Sequence, residues 1–87
     1  MAEVTFPPHE IPDKSRRVIL FPAVSDGRQI DCAISYEALR DHFGADYYDP
    51  VPAFTMNRQR IEQYVTQLIM HSRFENDGTI LVKTQDL

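Results

Sequence analysis

The feature that most constrains the fold of this chain is an Asp-Gly pair between two runs of alternating apolar residues. Asp26-Gly27 suits the tight primed turn of a β-hairpin, because that turn needs a positive φ at both central residues. A two-residue loop here fixes the register, which pairs six apolar residues: Ala23 with Ile30, Phe21 with Cys32, and Ile19 with Ile34. Side chains alternate along a strand, so all six share one face, and we expect that face to form one side of the core.

Size and composition indicate one small, ordered domain over residues 1–87. With 43% hydrophobic and 25% charged residues, the chain is typical of globular rather than disordered proteins. No apolar run approaches the length of a membrane span, and the start lacks the basic end and apolar core of a signal peptide. We therefore expect a soluble, cytoplasmic protein that makes no contact with a membrane.

Charge and cysteine content argue against several classes of function. The net charge of −4 and the isoelectric point near 5.2 disfavour binding to nucleic acids or anionic lipids, so no nucleic-acid partner is expected. The one basic cluster, residues 14–17, lies beside Asp13 and is more typical of the solvated start of a strand than of a phosphate site. A single cysteine, Cys32, excludes an internal disulfide and any multi-cysteine metal site.

Before the first helix, the pattern predicts a short strand at 4–6, a loop at 9–15, and hairpin strands at 17–24 and 29–34. Pro22 is the irregular residue of the first hairpin strand. It faces Asp31 as a non-hydrogen-bonded pair, so the position of its missing N–H lies on the outer edge. That edge cannot accept a regular neighbour at this point, and we expect an edge strand there.

The second half of the chain is predicted to be mainly helical. Ser35 suits the N-cap of a helix over Tyr36–Phe43, with Gly44 as its left-handed stop. Asp49-Pro50 then opens a long helix over residues 50–72. Its core stripe recurs at helical spacing and comprises Phe54, Ile61, Val65, Leu68 and Ser72.

A turn at 76–78 and a last strand at 79–84 complete the order (β)ββααβ. This order predicts an α+β fold of two layers, in which a small antiparallel sheet carries both helices on one face.

These residues resemble a small bacterial family known as domain of unknown function 1488. The resemblance is carried mainly by turn, cap and core residues: Phe21-Pro22-Ala23, Gly27, Ile30, Cys32, Ile34-Ser35, Glu37-Ala38-Leu39, Phe43-Gly44, Ala53-Phe54, Arg58 and Ile61. It covers nearly the whole chain, through Gly78, Leu81 and Asp86, and departs from the family at Tyr47-Tyr48 and at Leu87. The resemblance supports the predicted fold and supplies no mechanism.

Candidate catalytic and metal-binding residues are few. Cys32 and His42 are the one nucleophile–base pair to consider, but an inward-facing cysteine is more often an inert apolar residue than a nucleophile. His9, His42 and His71 lie in different elements without the spacing of metal ligands. We predict no catalytic residue, no metal site and no cofactor.

Two features suit a small ligand. Tyr47 and Tyr48 lie between two aspartates and would suit a cationic or aromatic ligand, although such tyrosines more often cover the end of a core. Arg58 falls within the core stripe of the long helix, where its charge must reach solvent or meet a carboxylate and carbonyls. A structural clamp is favoured over a ligand anchor, with one of three plausible partners: Asp31, Glu37 or Asp46.

The opposite face of the long helix carries a second pattern, which we call the Met–Gln stripe: Met56, Gln59, Gln63, Gln67 and Met70. A solvated face of an acidic protein ordinarily shows Glu and Lys, whereas methionine suits recognition surfaces. The alternative is that these residues are helix-forming side chains on an ordinary solvent-exposed face. The favoured function is a non-enzymatic interaction or regulatory module that acts through a protein partner or self-association. The alternative is a small-molecule binder or enzyme with a site around Arg58, Tyr47 and Tyr48.

Overall fold

The computed structural model describes residues 3–46 and 48–87, and of Asp86 only the backbone. Its elements follow in the order β1 (Val4–Thr5), β2 (Ile11–Asp13), β3 (Val18–Ser25), β4 (Arg28–Ser35), α1 (Tyr36–Phe43), α2 (Val51–Met56), α3 (Arg58–Met70) and β5 (Ile80–Val82), with a short 3-10 turn over Thr84–Asp86. The helices pack on the sheet through a shared apolar core. The predicted two-layer α+β class is confirmed.

The hairpin of β3 and β4 forms as predicted. Asp26 and Gly27 both have positive φ, at 53° and 76°, as a primed two-residue turn requires. The register is the predicted one, with Phe21 opposite Cys32 and Pro22 opposite Asp31. Local turn chemistry and hydrophobic pattern therefore agree with the tertiary fold at this point.

The outer edge of β3 differs from the prediction. Residues Ile11–Asp13 form a strand paired with Val18–Leu20, so the predicted loop at 9–15 is wrong in its middle. β1 pairs with the far end of the same edge, at Val24 and Ser25, so β3 is not an edge strand. Between these two ladders, no strand of the described chain pairs with the outer side of Phe21–Ala23, and this is where Pro22 lies. The prediction that this edge accepts no regular neighbour at Pro22 is confirmed. The edge is nevertheless paired on both sides of Pro22, with β2 on one side and β1 on the other.

The last strand makes the sheet mixed. β5 pairs with β4 in parallel, Ala33 lying opposite Leu81, whereas the sequence predicts a wholly antiparallel sheet. The reason is the path between them, because the three helices form a crossover that returns the chain to the end of the sheet where β4 began.

Local chemistry explains where the helices begin and end. The Ser35 hydroxyl accepts a hydrogen bond from the Ala38 N–H at 3.0 Å, and Gly44 ends α1 in the left-handed conformation, as predicted. The predicted long helix is divided at Asn57, whose φ of −113° is not helical and whose side chain bonds the Ala53 carbonyl. It also begins one residue late, at Val51, whose N–H donates to Asp49 Oδ1.

The core lies between the inner face of the sheet and the helices. Three residues of the predicted stripe are fully buried there, namely Phe54, Ile61 and Val65, and Leu68 is half-buried. Ser72 does not belong to it, because α3 ends at Met70 and the chain turns at Ser72, with a φ of 55° and an exposed side chain. No helix of the described residues has the length and apolarity needed to cross a bilayer.

Candidate functional site

Arg58 forms a clamp between α3 and the segment that joins β1 to β2. Its side chain is 20% exposed and its guanidinium stacks 5.3 Å from the centre of the Phe54 ring. It donates four hydrogen bonds, to Glu62 Oε2 (2.8 Å), Glu10 Oε2 (2.9 Å), the Pro7 carbonyl (2.9 Å) and the His9 carbonyl (3.1 Å). The guanidinium is thus directed at protein oxygen atoms through all three of its nitrogens.

Arg58 therefore has the contacts with carboxylates and carbonyls that the sequence predicts, but with other partners. None of Asp31, Glu37 and Asp46 is among the oxygens it bonds in the described chain. One partner, Glu62, lies one turn further along the same helix. The others lie in segment 7–10, whose sequence has no periodic pattern from which its position could be predicted. Spacing along α3 alone, four residues from Arg58 to Glu62, was a usable signal for the first of them.

Tyr48 lies on a different part of the surface. Its side chain is 90% exposed and borders a shallow hollow of about 680 Å³ between the end of α1 and the start of α2. Met56 borders the same hollow, whereas Arg58 does not. Tyr47 lies outside the described residues. The structure thus brings Tyr48 close to one end of the Met–Gln stripe and not to Arg58.

The Met–Gln stripe lies on the solvent side of α2 and α3. All five of its side chains are exposed, and Met56 and Met70, at its two ends, are 85% and 57% exposed. The break at Asn57 separates Met56 from the other four without burying any of them. The five residues of the stripe therefore form an uncharged row in an otherwise acidic protein, bordered by the exposed Arg60 one turn from Met56.

The outer face of the sheet is a second candidate surface, which the sequence does not predict. Four apolar side chains lie in one row across four strands, each beside the next in the pairing register: Ile11, Leu20, Ala33 and Leu81. A hollow of about 540 Å³ lies over this row, and the described residues that line it come from strands and loops. The available signal was β3 itself, which is apolar at successive positions and not only at alternate ones.

A comparison with known families matches residues 4–82 to the family described as "Protein of unknown function (DUF1488)". The chain belongs to the DUF1488 family. Two bacterial relatives share 30% identity with it over 78 residues, 88% of this chain and 92% of theirs. They are the uncharacterized proteins YrdB of Escherichia coli (strain K12) and of Shigella flexneri.

A solved structure supports the same fold. The crystal structure of a DUF1488 protein of unknown function from Shewanella loihica PV-4 superposes with a TM-score of 0.81. It is 26% identical and covers 91% of this chain and 90% of its own. The resemblance predicted from the turn, cap and core residues is confirmed, and it comes with no stated activity.

The candidate nucleophile and metal ligands of this DUF1488 protein are not brought together. Cys32 is buried, and burial followed by the charge of Asp31 raises the pKa of its thiol to about 12, which disfavours the reactive thiolate. His42 lies on α1, with Nε2 3.0 Å from the Thr84 carbonyl oxygen. Within residues 3–46 and 48–87, no three His, Cys, Asp or Glu side chains are grouped so as to hold a metal ion.

Proposed function

We propose that this DUF1488 protein is a non-enzymatic, cytoplasmic interaction module that acts through protein contacts, with the Met–Gln stripe as its contact surface and a second copy of the chain as the occupant. One observation carries the proposal. The five residues of the stripe are uncharged, and two of them are large exposed methionines, including Met56 at 85%. Adaptable apolar side chains in solvent suit an interface better than they suit a free surface.

The spacing of the stripe favours a second copy over an unrelated partner. Met56 and Met70 each lie seven positions from Gln63, while Gln59 and Gln67 each lie four positions from it. Antiparallel pairing about a two-fold axis at Gln63 would bring unlike ends together, so that each methionine meets the other methionine of the partner. Such self-complementarity is what an isologous interface needs.

Charge and length are consistent with this arrangement. Because the chain carries a net charge of −4, two copies repel each other least where they meet through uncharged side chains. α3 alone has 13 residues, which extend about 20 Å at the helical rise of about 1.5 Å per residue. A contact along it, extended by Met56 and Tyr48, would bury on the order of 1,000 Å², the size of a weak or transient interface.

The alternative, a ligand site around Arg58, Tyr47 and Tyr48, has less support. Arg58 donates four hydrogen bonds to protein oxygens, and a ligand would have to replace them. Tyr48 borders a hollow that does not include Arg58. The geometry thus favours contact with a protein surface over capture of a small anion.

The proposal is tested by measuring molar mass with light scattering across protein concentrations. Met56→Lys combined with Met70→Lys is expected to abolish association, because like charges would meet at both ends of the interface. Met56→Lys combined with Met70→Glu is expected to restore it, since opposite charges would then face each other across the two-fold axis.

The matched control is Thr55→Lys combined with Gln85→Lys, which adds the same charge at two exposed positions off the stripe. This variant should associate nearly as the parent does. If the parent stays monomeric at every concentration, or if all four proteins have the same mass, the Met–Gln stripe is an ordinary surface and the proposal is wrong.

A further inference from the structure

The outer face of the sheet carries a continuous apolar floor, in which Leu20 and Leu81 are half-buried and Ala33 is buried. Ile11, Leu20, Ala33 and Leu81 follow one another across β2, β3, β4 and β5. At about 4.8 Å between neighbouring strands, this row is about 14 Å long. Ile11 at one end is 64% exposed, although a sheet face turned to water ordinarily carries polar side chains. We call this feature the apolar row.

Acidic side chains surround the hollow above the apolar row. Four carboxylates line it, those of Glu10, Asp31, Glu75 and Asp77, against one guanidinium, that of Arg16. The volume of about 540 Å³ falls in the range of sites that hold a few side chains or a small ligand. An apolar floor below an acidic rim selects for an occupant that is apolar and positively charged at once.

Ion pairs within the protein reduce this acidity only in part. Glu10 pairs with Arg58 at 2.9 Å, and Glu75 pairs with Lys83 at 3.5 Å. Arg16 lines the hollow and also pairs with Asp13, at 3.8 Å. Because Asp13 does not line the hollow, the charge of Arg16 is shared with a carboxylate outside it. Two rim carboxylates, those of Asp31 and Asp77, have no salt bridge among the described residues.

These two carboxylates lie on the same side of the apolar row. Asp31 is two residues before Ala33 on β4, and Asp77 lies in the turn that leads into β5. Asp77 accepts hydrogen bonds from the N–H and hydroxyl of Thr79, at 3.0 and 2.7 Å, and these bonds lower the pKa of its carboxyl. It is therefore ionised at neutral pH. Asp77 also feels the positive charge of Arg16, and Asp31 accepts a hydrogen bond from Gln29 Nε2 at 3.2 Å, but neither carboxylate has a salt bridge among the described residues, so negative charge is concentrated along this flank of the row.

We infer that the outer sheet face binds a basic, apolar segment of a partner protein. Leucine-like side chains of the segment lie on the apolar row, and its Lys or Arg side chains lie against Asp31 and Asp77. The acidic rim repels nucleic acids and anionic lipid headgroups. It also repels a second copy of this acidic chain, so this surface and the Met–Gln stripe have different occupants.

The test uses the full chain and three short labelled peptides, with binding followed by fluorescence anisotropy. In the first peptide lysine and leucine alternate; in the second serine replaces leucine; in the third glutamate replaces lysine. The first is expected to bind saturably and at least about tenfold more tightly than either of the others, because it alone matches both floor and rim. If the serine peptide binds equally well, or if the first peptide does not bind, the inference is wrong.

Variants of the protein locate the binding. Asp31→Asn combined with Asp77→Asn is expected to weaken the lysine–leucine peptide about tenfold. Glu3→Gln combined with Glu37→Gln removes the same charge from exposed positions away from the hollow and should leave binding within about twofold of the parent. Equal effects of the two pairs would show a nonspecific response to net charge and overturn the inference.

Two further measurements keep the result interpretable. Because Asp77 also closes the turn before β5, Asp31→Asn is measured alone and should account for part of the loss. In nuclear magnetic resonance spectra, the peptide should shift the backbone amides of Leu20, Ala33 and Leu81; shifts confined to α3 would contradict the inference. Met56→Lys combined with Met70→Lys should leave peptide binding unchanged, so failure here and failure of self-association are separate results.

Discussion

The two faces of the sheet are built from alternate residues of the same strands, but the helices cover only one of them. On the covered face, Ile19, Ile34 and Ile80 have no solvent exposure. On the outer face, Leu20 and Leu81 are similar in size and remain half-buried. The three isoleucines are part of the hydrophobic core, whereas the two leucines bury less of their surface within the described fold. The apolar residues of the outer face thus contribute less to folding than those of the covered face, which is consistent with the docking surface that we infer there.

The largest effect that separates the two faces is expected from neighbouring residues of β5. Ile80→Ala should lower the free energy of unfolding by about 3 kcal/mol, because it leaves a cavity in the covered core. Leu81→Ala should cost less than about 1 kcal/mol, because its side chain is already partly in water. Urea denaturation followed by circular dichroism measures both. Equal losses would mean that the outer face also belongs to the core.

The next effect concerns Arg58, which reaches from the helix layer to Glu10 on the rim of the outer hollow. Arg58→Ala should lower the free energy of unfolding by about 2 kcal/mol, because it strands two carboxylates that are only 29% and 24% exposed. Arg58→Met should cost no more, since it keeps the stem that packs on Phe54.

Arg28→Ala, at an exposed position of β4, is the matched control and should change the free energy of unfolding by less than about 0.5 kcal/mol. The three variants are compared by the same urea denaturation. Should Arg58→Ala behave like Arg28→Ala, Arg58 does not hold segment 7–10 to the helices, and the rim of the hollow is positioned by other contacts.

How much the sequence predicts depends on whether an element is specified locally. The turn at Asp26-Gly27 and the cap at Ser35 carry their own chemistry, so the register of the hairpin and the bounds of α1 are predictable to the residue, whereas the predicted bounds of the hairpin strands are each wrong by one residue. The strand Ile11–Asp13 has no pattern of its own and includes a proline; it forms because the edge of β3 is available. The parallel pairing of β5 likewise depends on the path of three helices, which no local signal encodes.

The same distinction applies to the candidate surfaces. The exposure of the Met–Gln stripe follows from helical periodicity alone, so it is predictable from spacing. The apolar row needs the register of four strands, including β2 and the parallel β5, neither of which the sequence predicts correctly. The partners of Arg58 on segment 7–10 are likewise not predictable, because the position of this segment depends on the strand Ile11–Asp13, where the sequence predicts a loop.

A further contrast is that between Cys32 on the covered face and Asp31 beside it on the outer face. Native Cys32 should react slowly with a thiol reagent, because it is buried and its pKa is raised to about 12. The double variant Asp31→Cys and Cys32→Ala moves the thiol to the outer face and should react at once. Rapid labelling of the native protein would show that the covered face opens readily.

The raised pKa of Cys32 also predicts a loss of stability in alkali. Below pH 9 the thiol is protonated in both the folded and the unfolded chain. Between pH 9 and about 12, the unfolded chain releases the proton while the folded chain retains it, so rising pH favours unfolding. The free energy of unfolding should fall by about 1 kcal/mol by pH 10, and Cys32→Ala should lack this part of the pH dependence.

Pro22 has a consequence for how this protein behaves at high concentration. A sheet edge with free N–H and C=O groups is a template on which strands of other molecules can add, and this is how many β-rich proteins begin to aggregate. β1 and β2 cover the two ends of the outer edge of β3, and the three residues left between them have a proline at their centre. A foreign strand that reached this gap would find no donor at its middle position. The molecule can therefore expose an apolar row on its outer face while this edge of the sheet resists growth into a fibre.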